Sequence, residues 1–294
     1  MAPRSTQARN LDDQLDDPGP SGQRRATDFR AVSPSPGRGL SGRRVVITGG
    51  ASGIGLATAA RFLAEEALVV ILDINPELLD SARADMPEIS GAVRCDVGDP
   101  TDVARAFEEI DTILGSPDVL IANAGISIRH AFLDITPEEW RRVMAVNLDG
   151  IFFCAQAAAR RMSARVGGAI LMTASTNGLV GHPNYADYNA SKAGVILLAR
   201  SMALELAPKI RVNAVCPGYV MTPMQRAEYT DEMLHETDAK IPLGRHARPD
   251  EVAGLFAFLA SDEGAYLTGA AIPFDGGELA GGLASREWIH RGPS

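Results

Sequence analysis

An open α/β sheet covered by helices on both faces is the fold that this 294-residue sequence predicts, and three observations carry the prediction. Short β-branched runs alternate with stretches of helical character through most of the chain, as in parallel strands buried on both sides. A glycine-rich turn, Gly49-Gly-Ala-Ser-Gly53-Ile-Gly55, joins the first run to the first helix. An acidic residue, Asp73, closes the second run. Turn and carboxylate in that order suit a doubly wound sheet that receives a dinucleotide. The expected fold is therefore α/β and Rossmann-type, with seven parallel strands, helices on both faces and a single domain.

The elements follow in order. Residues 45–48 (Val-Val-Ile-Thr) form the first strand, and the glycine turn hands it to a helix at 56–66. The second strand covers 68–73. Pro76 suits the first position of a helix to 85, because the N–H it lacks would have no partner there. Strand three is placed at 93–96. Asp99-Pro-Thr opens a helix to 114, with Gly115 beyond its end. Strand four covers 119–122. Thr136-Pro-Glu-Glu139 is a capped start, threonine at the cap and glutamate three on, for one long helix to about 165. Gly167-Gly168 separates that helix from strand five, 169–174. A helix carrying Tyr188 runs to 207 and stops at Pro208. Strand six covers 210–216 and stops at Pro217-Gly218. Residues 219–248 show no strand pattern and a weak helical one, and are expected to form a loose lid over a substrate pocket. A helix at 249–259 and a strand at 271–274, followed by Asp275-Gly-Gly277, complete the domain, whose bounds are set at 41–279.

Composition excludes several classes of function. Net charge is −9 with no Lys/Arg block, so neither nucleic acid nor an anionic membrane surface is an expected partner. No apolar run reaches the length of a membrane span. The three cysteines, Cys95, Cys154 and Cys216, lack metal-ligand spacing and are expected to be buried free thiols of a reducing, cytoplasmic compartment. No metal site is expected. Residues 1–40 are rich in Pro, Gly, Ser, Arg and Asp and are expected to be disordered. Residues 280–294 form a short tail, in which Trp288 and Ile289 are apolar enough to dock on this subunit or a neighbour.

Chemistry concentrates between Ser175 and Lys192. Tyr188 and Lys192 stand four apart on a helix and so share one face. An ammonium beside a phenol favours the phenolate and lowers a pKa that is ordinarily about 10. Ser175, at the end of strand five, can place its hydroxyl opposite the phenol. Together they make a general acid/base with a hydroxyl that holds a substrate oxygen. Tyr185 has no lysine four residues on, since position 189 is Asn. At the nucleotide end, the glycine turn and helix N-terminus suit a pyrophosphate. Asp73 can hydrogen-bond an adenosine ribose and would repel a 2′-phosphate, which points to NAD(H); capping the next helix is its alternative role. Asp96 can meet the adenine or cap the following turn. Asn123-Ala-Gly125 is small enough to let a cofactor pass over strand four.

In order and spacing, Thr48-Gly49-X-X-X-Gly53-X-Gly55, Asn123-Ala124-Gly125, Asn147, Ser175, Tyr188-X-X-X-Lys192 and Pro217-Gly218 resemble the short-chain dehydrogenase/reductase family over about residues 41–278. The resemblance implies a catalytic set of Asn147, Ser175, Tyr188 and Lys192. Asn147 would position a water in a proton relay, and Lys192 would hold the nicotinamide ribose as well as tune Tyr188. Cofactor contacts are implied at Gly49, Ser52, Gly53, Ile54, Gly55, Asp73, Ile74, Asp96, Val97, Asn123, Ala124, Gly125, Tyr188, Lys192, Pro217, Gly218, Val220 and Thr222, the last fixing the carboxamide. Substrate contacts are expected from Ser175, Gly178, His182, Tyr185 and Tyr188, with Asn184 on the rim and Met221, Met224 and Tyr229 in the lid. A homotetramer paired through long helices is the usual assembly that the resemblance implies.

The expected activity is NAD(H)-dependent interconversion of a secondary alcohol and a ketone, with hydride transfer supplied by the cofactor. An NADPH-linked 3-oxoacyl ketoreductase acting on carrier-bound chains is one alternative. Asp73 and the neutral Ile74 beside it count against that alternative, and Arg160-Arg161, which could form a carrier-binding patch, also suits a solvated helix face. A non-catalytic dinucleotide-binding protein is the other alternative, and the intact catalytic set counts against it.

Overall fold

The structure, a computed structural model, describes residues 39–281. Seven strands run β1 (Arg44–Thr48), β2 (Leu68–Asp73), β3 (Gly91–Arg94), β4 (Val119–Ala122), β5 (Gly168–Thr173), β6 (Ile210–Pro217) and β7 (Ala271–Phe274). All pair in parallel in the order β3-β2-β1-β4-β5-β6-β7. The chain leaves β1 toward β2 on one side, and β4 takes the other side. The strand order therefore reverses between β1 and β4, which opens a crevice at their C-terminal ends.

Residue alternation along the strands sorts the core into two layers. Val46, Val70, Leu72, Leu120 and Ile170 pack against α3 (Pro100–Ile113), α5 (Gly150–Ser163) and α6 (Ala186–Leu206), with Phe107 and Ile110 among the buried partners. Val45, Ile47, Val69, Ile71 and Ile121 face α1 (Gly53–Ala64), α2 (Pro76–Asp85) and α9 (Pro249–Ala260), where Phe62 and Phe256 are fully buried. Leu40, left in the N-terminal segment by composition alone, is fully buried in this second layer. A partly buried ion pair ties β1 to the start of β4, with Arg44 Nε donating to Asp118 Oδ2 at 2.9 Å and Nη2 to Oδ1. All three cysteines are buried and free.

Two expectations need correction. The helix opened by Thr136, whose cap and reciprocal Glu139 are both formed, is not one uninterrupted α-helix. α4 (Pro137–Met144) passes into a π-helical turn, Ala145–Asp149, before α5 begins. The extra residue in that turn is accommodated because Asn147 spends its side chain on a neighbouring segment, as described below. Residues 219–248 are also more ordered than their weak pattern suggested. They contain α7 (Pro223–Glu228) and α8 (Asp231–Asp238), capped by Thr222 and Thr230. Both helices are too short for apolar periodicity to register, and the caps are their clearest local signal. The expected disorder of residues 1–38 and the expected docking of Trp288 and Ile289 concern residues outside the described ones.

Candidate active site

The crevice is a cavity of about 530 Å³ that runs from the glycine turn to Tyr188. Its nucleotide end is built by backbone packing. A side chain at Gly55 would place its Cβ 2.0 Å from the Gly49 carbonyl oxygen, so the turn closes only with glycine there. Gly49 takes a φ of 60°, and its Cα faces the backbone of Ala124. Thr48 accepts from the amides of Asn123 and Ala124 at 2.9 and 3.0 Å, which locks the ends of β1 and β4 together. The Asn123 side chain completes the tie, donating to the carbonyls of Thr48 and Gly49 and accepting from Thr173 Oγ1 at 3.0 Å.

Asp73 lines the cavity, and its carboxylate accepts from the amides of Ala51 and Asn75, both at 3.2 Å. It is not the helix cap: Asn75 caps α2 by accepting from Leu78 N at 3.0 Å. Asp96 also lines the cavity and accepts from Gly98 N at 2.9 Å, while Asp99 caps α3. The turn therefore offers glycine backbone for a pyrophosphate and a carboxylate one strand over for a ribose. These residues fit a nicotinamide dinucleotide.

At the other end, β5 delivers Ser175 just past its last residue and α6 delivers Tyr188 and Lys192. Lys192 is almost fully buried and donates to the Thr173 carbonyl at 2.8 Å, with its ammonium 5.6 Å from the centre of the Tyr188 ring. Ser175 Oγ accepts from Asn177 N at 3.1 Å and lies 3.4 Å from the Pro217 carbonyl. Asn147, fully buried in the π-helical turn, clamps the segment after β4: its Oδ1 accepts from Ile126 N at 2.8 Å and its Nδ2 donates to Ile126 O at 2.9 Å and Ser191 Oγ at 3.2 Å. Asp187, also fully buried, accepts from Tyr188 N at 2.8 Å, and its Oδ2 lies 3.1 Å from His130 Nε2, which pins the start of α6.

The electrostatics correct one expectation. Lysine was expected to bring the phenol below its ordinary value. Burial instead dominates and pushes Tyr188 up to about 12, against a downward pull from the Ser175 hydrogen bond and with an upward push from the Glu228 carboxylate. Burial likewise pulls Lys192 down to about 8. Desolvation disfavours the charged form of each partner, and the spacing from sequence carries no information about burial.

Most of the residues singled out in sequence meet here. Gly49, Ser52, Gly53, Ile54, Asp73, Ile74, Asp96, Val97, Asn123, Ala124, Gly125, Tyr188, Lys192 and Thr222 line the one cavity. Gly55, Pro217, Gly218 and Val220 are not among the lining residues. Gly178 packs on the backbone of α6, where an added Cβ would fall 2.7 Å from the Lys192 carbonyl carbon and oxygen. His182 faces Glu278, with its Nε2 3.7 Å from Oε1. Tyr185 donates to Glu228 Oε2 at 2.9 Å, and Tyr229 lies 3.4 Å from the same phenol oxygen. Asn184 is exposed with a φ of 68°, and its carbonyl accepts from His130 N. Met224 lines the cavity, and Met221 is half-buried. Arg161 pairs with Asp111 on α3 at 2.7 Å, so only Arg160 of that pair faces solvent. Sequence reasoning gave no role to Thr173, Ile126, Arg142, Glu228 or Glu278. They arrive from separate segments, and only Thr173, at a strand end facing Asn123, carried a local signal.

A dinucleotide cradle at a strand switch point, ending at a phenol, a hydroxyl and a lysine, defines a nicotinamide-linked oxidoreductase site. Among the described residues no helix is long and apolar enough to cross a membrane, and no cluster of His, Cys, Asp or Glu could hold a metal ion. A family model described as enoyl-(acyl carrier protein) reductase matches residues 49–278. The chain is 45% identical over 249 residues to cis-4-hydroxycyclohexanecarboxylate dehydrogenase of Sinomonas cyclohexanicum, covering 83% of this chain and 99% of that one. It is 40% identical over 238 residues to meso-2,3-butanediol dehydrogenase of Serratia marcescens, covering 80% and 94%. It is 36% identical over 248 residues to the NADP-dependent (R)-specific alcohol dehydrogenase of Lentilactobacillus kefiri, covering 82% and 98%. This chain belongs to the short-chain dehydrogenase/reductase family.

Proposed function

We propose that the protein interconverts a secondary alcohol and a ketone with NAD(H) as cofactor. The observation that carries this is the meeting of Tyr188, hydrogen-bonded by Ser175, and Lys192 at one end of a cavity whose other end is the glycine turn and Asp73. The bound nicotinamide supplies or accepts the hydride. The chain's own residues do the rest. Ser175 holds the substrate oxygen by hydrogen bond. Tyr188 takes the hydroxyl proton in oxidation and returns it in reduction. Lys192 favours the phenolate by charge and holds the ribose beside it. Asn147 fixes the Ile126 backbone and positions a water for proton exchange. Thr222, at the cap of α7, meets the carboxamide.

Asp73 supports NAD(H) over NADP(H), because its carboxylate would repel a 2′-phosphate and Ile74 beside it supplies no compensating cation. Exposed apolar side chains on α5 and α6, among them Phe152, Leu197 and Leu204, support pairing of those helices in a homotetramer. Three buried free thiols support a reducing, cytoplasmic setting.

The test is direct. Purified protein should reduce NAD with a secondary alcohol, Tyr188→Phe should abolish turnover while cofactor still binds, and NADH should bind more tightly than NADPH. Undiminished turnover in Tyr188→Phe would overturn the mechanism, tighter NADPH binding would overturn the cofactor assignment, and a monomer in sedimentation would overturn the assembly.

A further inference from the structure

We propose that Glu228 is the acceptor for a second hydroxyl of the substrate, so that the site takes a vicinal diol or α-hydroxyketone in preference to a simple alcohol or a hydroxy acid. The inference rests on the secondary-alcohol reading above and names its substrate class.

α7 starts at Thr222, and its first residues Pro223 and Met224 line the catalytic cavity. Glu228, at its far end, reaches back to the catalytic helix. Its Oε2 accepts from the Tyr185 hydroxyl at 2.9 Å, and the Tyr185 ring stands edge-on to Tyr188 with centroids 6.3 Å apart. Its charge is felt at the reacting phenol, which it pushes upward. The carboxylate is thus held by one oxygen beside the site of proton transfer. The other oxygen, Oε1, is buried and finds no hydrogen-bond partner in the chain. Three residues earlier, on the same face of α7, Gln225 Nε2 is also buried without a partner.

Buried polar atoms are almost always paired, because leaving one unpaired forfeits its hydration with no return. Two such atoms, an acceptor and a donor on the helix whose first residues line the catalytic cavity, are where an external group would be recognised. A carboxylate only accepts, and an amide nitrogen only donates. A hydroxyl can satisfy both. A carboxylate or phosphate on the substrate would meet the negative charge of Glu228 and be repelled. With one substrate oxygen on Tyr188, an oxygen on the neighbouring carbon would point toward Tyr185, whose ring centroid lies 6.3 Å from that of Tyr188. The fitting substrate is neutral and carries two neighbouring oxygens.

The experiment compares kcat/KM for butane-2,3-diol, butan-2-ol and 3-hydroxybutanoate in the wild type, Glu228→Gln and Glu228→Ala, each with NAD. The ratio of diol to mono-alcohol is the readout, since losses from lid mobility or stability cancel in it. The wild type should favour the diol about tenfold or more, and both variants should lose about that factor from the ratio. Glu228→Gln preserves shape, and NAD binding followed by fluorescence shows that each variant is folded. Turnover of both alcohols with no diol preference, or a preference that survives both substitutions, overturns the proposal while leaving the reaction in place. No turnover of any secondary alcohol overturns the reaction and the proposal with it.

Discussion

Replacing Lys192 by methionine is expected to shift the acid limb of alcohol oxidation upward by as much as about two pH units. The ammonium lies 5.6 Å from the centre of the Tyr188 ring. At an effective dielectric constant of about 20, a unit charge at that separation is worth ~3 kcal/mol, or about two pKa units. The ammonium favours the phenolate, so its loss makes the phenol harder to ionise. Burial already pushes Tyr188 up to about 12 and draws Lys192 down to about 8, each against its own charge. Below the lysine's value of about 8 the ammonium is charged and favours the phenolate, and ionising the phenol strengthens the lysine's hold on its proton by the same amount. Oxidation requires the phenolate as base. At any pH well below the limb, a two-unit rise costs about 100-fold in rate. The assay is kcat/KM for one alcohol at saturating NAD, followed from pH 6 to the alkaline plateau in wild type and variant. A rate that falls by one uniform factor while the limb stays in place would refute the electrostatic account and leave the lysine a purely positional role.

Other perturbations test the scaffold. Gly55→Ala forces a Cβ against the Gly49 carbonyl and should abolish cofactor binding measured by calorimetry, with the remote core still folded. Arg44→Met leaves the partly buried Asp118 without its partner and should cost about 1–3 kcal/mol in urea unfolding at pH 7. Burial alone would raise the Asp118 carboxyl, but the Arg44 hydrogen bonds hold it below its ordinary value. The pair therefore stabilises the fold above the unfolded-state pKa of about 4 and loses that contribution as pH falls through the lowered folded value. Thr48→Val strips the acceptor from the Asn123 and Ala124 amides and should cost about 1–3 kcal/mol together with weaker cofactor binding.

The sheet was legible because its signals are local. Each strand is a β-branched run of a few residues with its own stop, and the glycine turn needs only seven consecutive positions. The catalytic pair was legible for the same reason, since Tyr188 and Lys192 are one helical turn apart. Burial was not. The sign of the Tyr188 shift depends on what covers the phenol, and Glu228, which contributes to it, comes from a helix 40 residues further along the chain. The same holds for Asp73. Its place at the end of β2 was visible, but its two roles were separated only when Asn75 proved to hold the cap.

Asn147 shows how a legible residue can rest on an illegible device. In a regular α-helix an asparagine costs some stability, because its amide competes with the backbone for hydrogen bonds. Here the amide is used elsewhere, on both backbone groups of Ile126 and on Ser191. The residue sits in a turn widened to the π form, from Ala145 to Asp149, between two ordinary helices. Such single widened turns are rare and concentrate at functional sites. The clamp fixes the chain after β4, and a Cβ on Gly125 would fall 3.2 Å from Asn147 Oδ1 and 3.4 Å from Lys192 Nζ. One side chain thereby sets the spacing between the end of β4 and Lys192, which the proposed function places against cofactor and phenol. Asn147→Ala should consequently lower both cofactor affinity and turnover, whereas Asn147→Asp, which keeps the acceptor for Ile126 N but places a negative charge near Lys192, should retain more of the affinity than alanine does. Equal cofactor affinity in wild type and Asn147→Ala would break the link between the clamp and the site.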